Sequence, residues 1–123
     1  MNVFSPATLV APAAPRPPRA RRPWAQLLNA VLDLAGPRAE FVSHAERPWA
    51  SVTFVGSRHI STLAFPGARG VIEGERFAEA LPEHEFAIPR QIVTDAVVTG
   101  MRHESEPAER VAIEIELLLV EDL

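Results

Sequence analysis

The 123-residue chain contains no cysteine, which removes a disulfide scaffold, a thiolate metal site and a cysteine nucleophile together. It contains no lysine either, all twelve basic residues being arginine. That usage fits a GC-rich bacterial genome and carries no mechanistic message. No run approaches the roughly 18 apolar residues of a membrane-spanning helix, so no membrane is expected as a partner and the chain is read as soluble and cytoplasmic. A secretory leader is not expected, since "FSPATLVAPAAP" is broken by proline and precedes the basic residues rather than following them. The pair Arg21 and Arg22 leads into Gln26, Asn29 and Asp33 in an amphipathic pattern, unlike the apolar stretch of an export signal.

Catalytic and nucleotide motifs are missing as well. Gly56, Gly67, Gly70, Gly74 and Gly100 do not spell G-x-G-x-x-G or a phosphate loop. The four histidines, His44, His59, His84 and His103, include no i, i+4 pair and no H-E-x-x-H, so no metal site is expected, and no cofactor. A Ser61, His103 and Asp95 triad can be drawn on paper, but without a G-x-S-x-G elbow it has no support. The reading therefore leans away from an enzyme.

What is present is a charge asymmetry. The formal charge is −4, yet residues 1–23 hold Arg16, Arg19, Arg21 and Arg22 with no acid, leaving eight Arg against sixteen acids beyond them. An acidic body repels phosphate backbones, which disfavours nucleic acid as a partner. The same first 23 residues contain six of the twelve prolines, and such a segment cannot bury enough apolar surface to offset the entropy of ordering it. Residues 1–23 are read as a disordered Pro/Arg-rich tail and 24–123 as a single α+β domain.

From Pro23 the periodicity becomes helical: Trp24, Leu27, Leu28, Val31, Leu32 and Ala35 share one face, and Gly36 followed by Pro37 is a stop. Residues 39–46 and 50–65 read as strands, the second opening on "SVTFV" and bounded by "FPGARG". Residues 74–81 read as a short helix ended by Pro82, and 91–103, rich in β-branched residues, as a strand. The last strand, 111–120, alternates Val111, Ile113, Ile115, Leu117 and Leu119 against Glu114 and Glu116. The order αββαββ predicts a two-layer fold, a four-stranded mainly antiparallel sheet with two helices on one face.

That order is two similar halves, and two short matches echo it. "PRAEF" at 37–41 resembles "PEHEF" at 82–86, and "GSRHIS" at 56–61 resembles "GMRHES" at 100–105, at nearly one offset. An internal pseudo-repeat is one reading. On an unbulged strand Arg58 then continues the row of Phe54 and His59 a solvent-like row with Ser57 and Ser61, while Arg102 continues the row of Ala96 and Val98. If both pairs converged, Arg58, His59, Arg102 and His103 would form a site for a small anionic ligand, with arginine forks and a histidine to move a proton.

The alternation of the last strand fails at Leu117–Val120, so both faces are apolar there and something must cover Leu118 and Val120. A second copy of the chain is the expected cover. Trp49, Leu118 and Val120 are the candidate interface residues, and the expected function is a non-catalytic homodimeric interaction module. The alternative is a small-anion binder or small enzyme built on the Arg/His pairs.

Overall fold

A computed structural model describes residues 22–121. The elements are α1 (Arg22–Ala35), β1 (Glu40–Ala50), β2 (Val55–Pro66), α2 (Gly67–Ala80) with a 3-10 turn at Leu81–Glu83, β3 (Gln91–Glu104) and β4 (Arg110–Glu121). The four strands form one antiparallel sheet in the order β1-β2-β4-β3, so β2 and β4 are central and β1 and β3 are edges. The expected tail at 1–23 lies outside the described residues, apart from Arg22 and Pro23, whose backbone begins α1.

Helix α1 ends as its sequence dictates. Gly36 takes φ +97 and its N–H bonds the Leu32 carbonyl at 2.9 Å, after which Pro37 cannot continue the helix. Leu27, Val31 and Ala35 form the buried stripe. Helix α2 begins seven residues earlier than the expected 74–81, directly from Pro66. Glycines that look like breakers are here what lets the helix seat: a Cβ on Gly70 would lie 2.7 Å from the Phe65 carbonyl carbon, and one on Gly74 would lie 2.7 Å from Val111 Cγ1. Phe77 then reaches Phe65, with ring centroids 5.7 Å apart.

The first hairpin differs from expectation too. Residues 51–54 are its turn rather than strand, with the Ser51 N–H bonded to the Phe54 carbonyl at 2.8 Å and the Phe54 N–H to Ser51 Oγ at 3.1 Å. The β-propensity of "SVTFV" reflects packing on a half-buried surface, and Val52 and Phe54 are exposed, so that packing is not on offer. Strand β1 instead continues through Pro48 to Ala50, which an edge strand tolerates.

One face of the sheet is the core. Leu63 and Phe65 of β2 and Val111, Ile113, Ile115, Leu117 and Leu119 of β4 pack with Leu27, Val31, Phe77 and Leu81 from the helical layer. Fully burying each such side chain contributes about 1.5–3 kcal/mol. Both helices lie on this face, and the opposite face is uncovered among the described residues. No helix there is long and apolar enough to cross a membrane.

Candidate functional site

The two G-x-R-H-x-S segments occupy different kinds of place. "GSRHIS" opens central strand β2, whereas "GMRHES" closes edge strand β3. In the repeated αββ order β2 corresponds to β4, so the spelled match does not join equivalent positions. Pairing of β2 with β4 runs unbroken from Gly56 to Pro66, so no bulge turns Arg58 and His59 to one side. Arg58 projects from the open face and pairs with Glu116. His59 projects into the helix side, where it is 2 % exposed.

Strand β3 does carry irregularities, one of them between Val98 and Gly100. The extra residue, Thr99, puts Arg102 opposite Ala112 on the open face instead of in the row of Ala96 and Val98. Arg102 and Arg110 bond the two oxygens of Glu104 at 2.8 and 2.7 Å, and these bonds, Arg110 first, hold the Glu104 carboxyl below the usual carboxylate range. His103 faces α2, 3.5 Å from Glu75. Arg58 stands opposite Leu118 and Arg102 opposite Ala112, six positions along β4, or roughly 20 Å at about 3.4 Å per residue. The structure does not bring the four side chains together, and two arginines so spaced cannot fork one small anion. The paper triad is not assembled either, since Ser61 is buried on the helix side and Asp95 stands on the open face opposite Leu118.

Strand parity with Ser57 and Ser61 predicts His59 on a wet row, whereas the structure buries it. The row Ser57, His59, Ser61 continues into Leu63 and Phe65, which the helices cover; parity counted from those two residues was the available signal. Across from it on β1, His44 stands opposite Ser61 and Glu46 opposite His59. His44 Nε2 lies 2.9 Å from His59 Nδ1, and Ser57 Oγ lies 2.8 Å from His59 Nε2, giving a continuous chain from serine to two imidazoles. Trp24, in the first turns of α1, lies flat over both rings, 3.4 Å from the His44 centroid and 5.7 Å from that of His59. Burial, reinforced by the adjacent His59, pushes the His44 pKa down to about 4 against an opposing pull from Glu46. Two imidazoles do not make a zinc set, and no group of three or more His, Asp or Glu among the described residues could hold a metal ion.

The open face is organised in cross-strand rows. Trp49, Gly56, Val120 and Ile92 form a wholly apolar row, and the next contains Arg47, Arg58, Leu118 and Asp95. A third holds Ala45, Ile60, Glu116 and Val97. Rows beyond it turn polar with Ser43, Thr62 and Glu114. Trp49, Leu118 and Val120 thus share this face; Trp49 and Leu118 are half-buried, Ile92 is exposed, and Val120, at 5 %, is the floor of its row.

Comparison with known protein families, with curated proteins and with solved structures finds nothing that matches this chain.

Proposed function

We propose that the chain is a homodimeric interaction module in which two copies pack the open faces of their sheets together. The observation that carries this is the order of residues within the rows. A two-fold axis in the interface, running along the strands, returns each row onto itself, with β1 over the partner's β3 and β2 over the partner's β4. Trp49 then meets the partner's Ile92, and Gly56, having no side chain, leaves room over the partner's Val120. In the neighbouring row Arg47 meets the partner's Asp95. Within one copy Arg47 stands directly opposite Arg58, a like-charge pairing that a facing carboxylate relieves.

The size of the face supports the same reading. Four strands about 4.8 Å apart and eleven or so residues long offer roughly 700 Å² per copy, close to the ~800 Å² per partner of a standard interface. Sheets packed this way sit within about 30° of alignment, so the rows stay in approximate register. Charge reversal tests the geometry: Arg47→Asp and Asp95→Arg each weaken the dimer, by about tenfold or more, and the double variant restores much of the loss. Failure of the double variant to recover association would contradict this arrangement.

A further inference from the structure

We infer that Ser57 is an activated nucleophile, with His59 as its general base and His44 as the residue that positions that base, and that it accepts the acyl group of small esters. Atom connectivity carries the inference. Ser57 Oγ meets Nε2 of His59 at 2.8 Å, and the other ring nitrogen of His59, Nδ1, is the one that meets His44, at 2.9 Å. A neutral imidazole has one donor and one acceptor nitrogen. With Nδ1–H donating to His44 Nε2, the Nε2 lone pair of His59 faces the Ser57 hydroxyl, the orientation a general base requires. Holding one tautomer by a bond at the far nitrogen is the role the third member plays in a Ser-His-acid triad.

The surroundings suit the charge that develops. His44 stays neutral at neutral pH, so it accepts without competing for the proton. The face of Trp24 covers both imidazoles, where its ring quadrupole favours a cation, and Glu46 stands directly across the strand pair from His59. His59 is 2 % exposed, while Ser57 at one end of the chain and His44 at the other are half-buried, so the hydroxyl keeps access to solvent. Dimerisation through the open face uses the other side of β2 and leaves this site uncovered.

In the acylation step the Ser57 Oγ–C bond forms as the hydroxyl proton passes to His59 Nε2. The ester C–O bond then breaks, and the leaving alkoxide takes that proton to depart as the alcohol. Water repeats the sequence on the acyl-serine through the same Nε2, releasing the carboxylic acid and restoring Ser57. The relay supplies a base and its positioning partner, so the expected acceleration is that of general-base activation, about 10²–10⁴-fold.

The test uses the full-length chain with a fluorophosphonate probe, read by intact mass and peptide mapping, and p-nitrophenyl acetate as substrate. One adduct is expected, on Ser57, with loss of labelling in Ser57→Ala and a fall of at least about 10²-fold in His59→Gln. His44→Gln, which keeps an acceptor, retains labelling, whereas His44→Phe slows it and moves its pH profile, a readout that packing alone would not shift. No adduct on Ser57 of the wild-type chain overturns the inference, as does a labelling rate unchanged in a folded His59→Gln variant.

Discussion

Gly56 lies flush against Leu119. A Cβ built on it would overlap the Leu119 carbonyl oxygen and sit 3.0 Å from the carbonyl carbon, backbone that cannot move aside without breaking the β2–β4 ladder. A Cβ built on Gly100, the glycine that opens the other G-x-R-H-x-S segment, would come no nearer than an ordinary 3.8 Å, from Glu114 Cβ. Gly56→Ala should therefore cost about 1–3 kcal/mol through overpacking, and Gly100→Ala should fall within about 0.5 kcal/mol of wild type. Urea unfolding of both variants checks this, and equal costs would mean that the two glycines share one role.

Two glycines of α2 differ in the same respect. Alanine is a better helix former than glycine by about 1 kcal/mol, so an exposed helical glycine gains from the change. Gly70 would press its new methyl on Phe65 backbone, whereas Gly74 would press on side-chain atoms of Val111 and Phe65. Gly70→Ala is expected to be the more destabilising of the two, by about 1 kcal/mol or more. The difference in denaturation midpoint at constant slope measures it.

His44 makes stability depend on pH. Its folded pKa of about 4 lies below the ordinary 6.5, so the unfolded chain binds more protons between those values. The contribution is fully present above about pH 6.5 and is lost as pH falls toward 4. After discounting for partial solvent access, its size is about 1–2 kcal/mol. Unfolding free energies at pH 7.5 and pH 5 should differ by an amount of this order in wild type, and the difference should shrink in His44→Phe. An unchanged difference would assign the pH dependence elsewhere.

Arg58 and Glu116 form a half-exposed pair on the open face. Pairs of this kind are worth up to about 1 kcal/mol, so Arg58→Ala should change stability little. In a thermal-shift panel of small anions, wild type and Arg58→Ala should respond alike, because Arg102 is committed to Glu104 on the far edge strand. An anion-dependent response lost only in the variant would restore Arg58 to a ligand site.

Much of the architecture was legible in local pattern. The 3.6-residue spacing of Leu27, Val31 and Ala35 and the two-residue alternation of Val111 to Leu119 each report a single face meeting a single core. What was not legible depended on partners remote in sequence. Gly74 seats α2 through its close approach to Val111, a residue of β4 that no window around it contains. The His44–His59 contact depends on the β1–β2 register, and that register shifts between Phe41 and Ser43. The reversal of Arg102 depends on one extra residue at Thr99. Trp24 was readable as a core residue of α1, but the rings beneath it were not, since nothing near His44 in sequence distinguishes it from a surface histidine on an edge strand.

The most direct measurement is the solution mass of the full-length chain by size-exclusion chromatography with light scattering, across micromolar to submillimolar concentrations. Packing of the open faces predicts a mass twice the 13.5 kDa of one chain, falling toward a single copy in Arg47→Asp. A wild-type chain that stays at the single-copy mass at the highest concentration would contradict the proposal that the uncovered face of the sheet is where two copies meet.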